Sequence, residues 1–176
     1  MLIGEKVCLG PVLHTDGPMF FGWLNNLDLV HGNGPYRPMD QAQFDQWFGG
    51  IGRDPTRVVF SIRRQGDLRL MGYVQLINIL AAPRTAELGI LIGAQADRGQ
   101  GFGREAVAMA VKFGWLDLNL QRISLFVIGE NPGALQVYAK AGFEVEGTLR
   151  RASYVNGAFR DITVMAVLRP EDEAGH

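Results

Sequence analysis

The sequence predicts a mixed α/β fold of α+β character, and three observations carry that prediction. Apolar residues alternate at period two through Val58, Phe60 and Ile62. A helical stripe runs through Val107, Ala110, Val111, Gly114, Trp115 and Leu118. The two patterns succeed one another in the order β-α-α-β-β-β-α-β-α-β-β, which lacks the strict alternation of a doubly wound sheet.

The elements follow in order. Gly4 to Val12 reads as a first strand. Asp16 is placed to cap a helix through Met19, Phe20, Trp23, Leu24 and Leu27. His31 to Asp40 contains Asn-Gly-Pro and Arg-Pro, which forbid regular structure. Asp40 caps a second helix carrying Phe44, Trp47 and Phe48, stopped at Gly49 and Gly50. A strand from Arg57 turns at Gln65-Gly66-Asp67 into another from Leu70 to Ile79, and a third spans Thr85 to Gly93. The long helix covers Phe102 to Leu118. A β-branched strand follows from Gln121 to Ile128, then a short helix from Pro132 to Ala141 closed by Gly142. Asn156-Gly157 joins the two closing strands as a hairpin.

Length and composition bound the function. The chain has 176 residues, room for one domain, taken as residues 1–170, with 171–176 expected to be a disordered tail. Seventeen basic side chains against eighteen acidic ones give no bulk pull toward nucleic acid or an anionic membrane. One cysteine excludes an internal disulfide, and His14, His31 and His176 show no metal-ligand spacing, so no metal is expected. Cys8 sits among small apolar residues and reads as packing. The N-terminus lacks the apolar core of a secretory signal, and no stretch is long enough to span a membrane. A cytoplasmic location is the expectation.

Glycine is the outlier at 23 residues, and its placement is informative. Arg98-Gly99-Gln100-Gly101-Phe102-Gly103 puts glycine at every second position as a helix begins. Such a loop either exposes main-chain amides to an anion at the positive end of the helix dipole, or brings helix and strand close together. The dinucleotide fingerprint fails, because Arg104 or Ala106 stands where its third glycine is needed. Gly-Lys-Ser/Thr of the nucleoside-triphosphate loop is absent.

What remains, Arg-x-x-Gly-x-Gly after a buried strand, resembles the acetyl-CoA loop of the GNAT superfamily of N-acetyltransferases. Asn131 to Gly147 (NPGALQVYAKAGFEVEG) is similar to the family's second block. GTLRRASYVNGAFRDITVMAVL is similar to the closing strands of its branch of ribosomal-protein N-terminal and spermidine acetyltransferases. The resemblance implies a mixed, mostly antiparallel sheet with helices on both faces and two strands splayed at the acetyl-CoA site. It also implies transfer of an acetyl group to a primary amine by direct attack on the thioester. The pyrophosphate would rest on the loop from Gly99 to Arg104, including Gln100 and Phe102, with Arg98 and Arg104 neutralising charge. The pantetheine arm would pair with the backbone of Leu91 and Ile92, and Asn131 would hold its amides or serve only as a helix start. Lys140 would touch the 3′-phosphate or be solvated.

Aminolysis of a thioester needs a neutral amine, a stabilised carbonyl oxygen and a departing thiolate. Glu87 opens the AELGILIG strand and is the candidate base, directly or through water; its other readings are an orienting contact or an ordinary strand glutamate. Tyr138 is the candidate acid for the thiolate, or else an aromatic packed beside Phe143. Residues 14–50 carry four aspartates against one arginine, together with many aromatics, a surface suited to a cationic amine. Trp23, His31, Tyr36 and Tyr154 are the candidate acceptor contacts. The acceptor is a small-molecule amine or a protein N-terminus, and the dense acidic helices expected for a polyamine are missing. Oligomeric state is open, a homodimer included. A non-catalytic acyl-CoA sensor is the alternative that the presence of Glu87 and Tyr138 argues against.

Overall fold

The structure, a computed structural model, describes residues 1–32 and 34–171; from residue 172 onward the expected tail lies outside the described residues. In chain order the strands are β1 (Leu2–Ile3), β2 (Val7–Pro11), β3 (Val58–Arg64), β4 (Leu70–Leu80), β5 (Thr85–Ile92), β6 (Arg122–Ile128), β7 (Glu144–Val155) and β8 (Ala158–Leu168). The helices are α1 (Gly17–Leu24), α2 (Leu27–Val30), α3 (Gln41–Gly50), α4 (Phe102–Leu116) and α5 (Pro132–Lys140). One sheet runs β1-β2-β3-β4-β5-β6-β8-β7, and only the β5–β6 pair is parallel. That is the mixed, mostly antiparallel sheet that the sequence and its resemblance imply.

Alternation along the strands sends side chains to two cores, one per face. On one face Val107, Ala110 and Val111 of α4 pack with Leu76, Ile123, Leu125 and Met165. On the other, Phe20 and Trp23 of α1 and Phe44 of α3 pack with Leu70 and Leu91. Phe20 is fully buried and stacks on Tyr73, ring centroids 5.2 Å apart. Each such side chain contributes about 1.5–3 kcal/mol through burial. Burial also pushes the Tyr73 phenol above its ordinary pKa.

Three expectations about the N-terminal third are corrected. The first strand is a small hairpin instead of one run: Gly4 N–H donates to Val7 O at 2.9 Å and the chain reverses between β1 and β2. The first helix ends at Leu24 and does not reach Leu27. Asn25 turns its amide across the loop, donating to Met39 O at 3.0 Å and accepting from Met39 N–H at 2.9 Å. Asn26 then caps α2 by accepting from Asp28 N–H at 3.0 Å. Asp16 makes no side-chain cap to α1. Its buried carboxylate accepts from Ser61 Oγ at 2.8 Å and from Arg63 Nη2 at 2.7 Å, pinning α1 to β3. Asp40, by contrast, caps α3 as read, accepting from Gln43 N–H at 2.8 Å.

Candidate active site

The sheet opens where β5 leaves β6. The two strands pair only across Thr85–Arg122, Ala86–Ile123 and Glu87–Ser124, although β5 runs on to Ile92 and β6 to Ile128. β4 stays with β5 to the end, Gly72 opposite Ile92. A Cβ on Gly72 would collide with the Leu91 carbonyl, so glycine there is what permits this close pairing. The result is a V whose apex is Glu87 and Ser124.

The phase of the β4–β5 ladder decides which peptide groups face the gap. Gly93 N–H donates to Met71 O at 2.9 Å, so Leu91 and Gly93 turn their peptide groups to β4, while Ile90 and Ile92 turn theirs to the open side. Of Leu91 and Ile92, then, only Ile92 offers its backbone to the gap. Arg98 reaches that backbone first. Its Nε and Nη2 donate to Ile92 O, each at 3.2 Å, Nη2 also to Gly93 O, and Nη1 to Gln95 Oε1 at 2.8 Å. The guanidinium expected on a phosphate therefore fastens the glycine loop to the end of β5.

Past Arg98 the loop winds into α4. Gly99 and Gly101 have φ of +72° and +87°, left-handed conformations that other residues adopt only with strain. Gly101 is the N-cap, its carbonyl accepting from Glu105 N–H at 3.1 Å. The amides of Phe102, Gly103 and Arg104 precede the first intrahelical donor and are free of helix partners by geometry. The Phe102 side chain is partly buried against the core on the α4 side of the sheet.

A cavity of about 830 Å³ fills the V. Ile90, Leu91 and Ile92 form one wall, Arg98 to Gly101 with Gly103 and Arg104 the end, and Asn131, Ala134, Val137, Tyr138 and Lys140 the opposite wall. The cavity thus brings together all the residues expected to bind the donor except Phe102. Asn131 accepts from Ala134 N–H through Oδ1 at 3.0 Å, so it caps α5 and has its Nδ2 to offer a ligand. Tyr138 is half-buried, edge-on to Phe143 at 6.0 Å, and burial pushes its phenol above the ordinary value. Packing and cavity lining are both true of it.

A second cavity of about 720 Å³ adjoins the first, sharing Gly32 and Asn131. His31 of the α2 terminus, Glu130, Asn156 of the closing hairpin, Arg160 and Asp161 are among its walls. The other expected acceptor contacts lie elsewhere. Trp23 is a core residue packed so tightly on Gly93 that a Cβ there would overlap its ring. Tyr36 is half-buried in its loop, and Tyr154 is exposed and packs edge-on to Phe159 at 5.1 Å. Neither joins the walls of a cavity described above. Glu87 is half-buried at the apex of the V and lines neither cavity.

Sequence reasoning missed Lys6, Asp97 and Gln136, which also line the larger cavity, and Asp28, one of the four aspartates counted toward the acceptor surface, lies on this wall too. Lys6 and Asp97 arrive through contacts across the fold, and local spacing holds no signal for them. Among the described residues no helix is long and apolar enough to cross a membrane, and no three His, Cys, Asp or Glu side chains group as a metal site.

Known proteins share this arrangement. The family model for the GNAT acetyltransferase domain matches residues 6–144. The chain is 38% identical over 115 residues to the probable N-acetyltransferase YjcK of Bacillus subtilis, covering 65% of this chain and 63% of that protein. It is 38% identical over 100 residues to the spermidine N(1)-acetyltransferase of Vibrio cholerae, covering 57% of each. Both matches span less than two thirds of the relatives' own length. Among solved structures, spermidine N-acetyltransferase from Vibrio cholerae in complex with CoA and spermine superposes with a TM-score of 0.85 at 28% identity, over 92% of this chain and 95% of that one. The strand order, the V at Glu87–Ser124 and the glycine loop at α4 are accounted for together: the chain belongs to the GNAT acetyltransferase family.

Proposed function

We propose that the protein is an acetyl-CoA-dependent N-acetyltransferase acting on a small-molecule primary amine, with the acetyl donor in the larger cavity and the acceptor in the smaller one. The observation that carries this is the junction of the two cavities at Asn131, one walled by a phosphate-suited loop and the other by carboxylates.

The residues fit a phosphorylated donor. Left-handed glycines at 99 and 101 expose the amides of Phe102 to Arg104 at the positive end of a 15-residue helix, and Arg104 adds charge at the same rim. The pantetheine arm lies along Ile90 and Ile92 as a surrogate strand in the gap β6 leaves. Asn131 steadies it through Nδ2.

Tyr138 serves the departing sulfur. With its pKa raised by burial, it is a weaker acid than a free phenol near 10, while a thiol titrates near 8.5. Full transfer of its proton is uphill, so Tyr138 acts as a neutral hydrogen-bond donor that stabilises the thiolate as it forms. Glu87 stands at the apex of the V, outside the cavity wall, and so receives the amine's proton through water.

The acceptor enters between α2, the β6–α5 loop and the β7–β8 hairpin. Glu130 and Asp161 there favour an ammonium group, and Arg160 moderates the negative field. The Vibrio cholerae relative named above acetylates spermidine, which supports an amine with more than one cationic centre. The test is a panel of polyamines, amino acids, amino sugars and N-terminal peptides incubated with acetyl-CoA. Free thiol release that depends on a small-molecule amine, with the N-acetylated product seen by mass spectrometry, supports the reading. Tight acetyl-CoA binding without amine-stimulated release would favour the sensor instead.

A further inference from the structure

The β1–β2 turn reaches the start of α4, and it does so through an acid that would otherwise be misplaced. Glu105 sits in the first turn of α4, where a carboxylate suits the helix dipole but would repel a phosphate held by the same amides. It does not face the cavity. Oε1 accepts from Glu5 N–H, and Oε2 accepts from Lys6 N–H at 3.0 Å. Gly4 makes room for this, since a Cβ there would run into Glu105 Oε1 and Met109 Sδ. The carboxylate is thereby turned toward the β1–β2 turn and the turn is fixed over the helix.

Fixing the turn delivers a cation. Lys6 Nζ donates to Gln100 O at 3.1 Å and stands 3.3 Å from where a Cβ on Gly101 would be. The ammonium therefore hangs directly over the N-cap of α4, on the wall of the larger cavity, with two further N–H donors to give. Arg98, three residues before the cap, is tied to the end of β5 by several hydrogen bonds.

We infer that Lys6 is a pyrophosphate contact of the bound acetyl-CoA and that Glu105, acting through the β1–β2 turn, is the residue that positions it. The inference rests on the placement of acetyl-CoA in this cavity. Lys6 supplies a charge-assisted hydrogen bond at the cap, and Arg104 supplies the charge on the helix side.

Titration calorimetry of Lys6→Gln with CoA, 3′-dephospho-CoA and pantetheine tests it, with Lys6→Arg alongside. Lys6 is exposed, and an unchanged melting temperature confirms that the variant is folded. The expected result is affinity lowered about 3–10-fold for CoA and 3′-dephospho-CoA alike, narrowing as salt is raised, with pantetheine unaffected and Lys6→Arg near wild type. Glu105→Ala should show the same phosphate-selective loss. Equal affinity of Lys6→Gln and wild type for CoA overturns the inference, as does an equal loss for pantetheine. A loss seen with CoA and abolished with 3′-dephospho-CoA would put Lys6 on the 3′-phosphate and overturn the pyrophosphate assignment. Failure of the wild-type protein to bind CoA would instead overturn the placement of the donor itself.

Discussion

Arg69 and Asp97 meet as a forked ion pair, Nη1 to Oδ2 at 2.9 Å and Nη2 to Oδ1 at 2.6 Å. Asp97 is buried, at the end of the 3-10 turn Gln95–Asp97 that precedes the glycine loop, and Arg69 stands just before β4. The pair thus anchors the loop to a strand on the far side of β5. The carboxylate holds the Arg69 guanidinium above its already high pKa, so the cation persists at every accessible pH.

Asp97→Asn keeps the shape and removes the charge. The Arg69 side chain is 42% exposed and can be resolvated, so the cost is about 1–2 kcal/mol and not the larger figure of a fully buried pair. In thermal unfolding the melting temperature should fall by a few degrees, and acetyl-CoA should restore less of the loss than it gives the wild type. Unchanged stability and affinity would mean that the loop holds its shape without the anchor.

Tyr138→Phe removes the hydroxyl and leaves the ring packed on Phe143. It should lower kcat by about 10²-fold with little change in acetyl-CoA affinity. The sign of the pH dependence follows from burial. A pKa raised above 10 keeps the hydroxyl protonated throughout the neutral range and loses it only as pH climbs past the ordinary tyrosine value. A basic limb of kcat below pH 10 therefore belongs to another group and should survive in the variant. Its disappearance in Tyr138→Phe would mean that the phenol itself titrates below 10, against the upward shift from burial, while an unchanged kcat would contradict the donor role.

Glu87→Gln probes the apex of the V. If Glu87 receives the amine's proton through water, kcat/KM should fall about 10²-fold with the KM for acetyl-CoA little changed. A raised KM for the amine at unchanged kcat would make Glu87 an orienting contact and leave proton removal to solvent.

The order of elements was legible because local patterns encode it: period-two alternation marks β3, β-branched residues mark β6, the α4 stripe is long, and Asn156-Gly157 turns β7 into β8. The glycine loop was legible because φ of +72° and +87° restricts residue choice at 99 and 101. What escaped was long-range. Asp16 looks like a cap until Arg63 is seen beside it, Asp97 like a loop polar residue until Arg69 is, and Lys6, read within the first strand, sits in a turn that Glu105 fixes. Arg98 was read as a phosphate ligand from its place in the motif. Its carbonyl partners at Ile92 and Gly93 become visible only once β5 ends where it does. Trp23 carried an aromatic signal shared by core and binding surfaces, and packing against Gly93 decides for core.

The central claim, that the larger cavity holds acetyl-CoA with its pyrophosphate on the α4 amides, is tested most directly by ligand-induced thermal stabilisation of the wild type and Gly101→Glu. The added side chain meets Lys6 and puts a negative charge at the cap, and its backbone strain at φ +87° lowers stability by about 1–2 kcal/mol without reaching the core. The wild type should be stabilised by acetyl-CoA and much less by NAD or ATP, while the folded variant shows no acetyl-CoA shift. A variant that keeps the wild-type shift would contradict the placement of the donor on this loop.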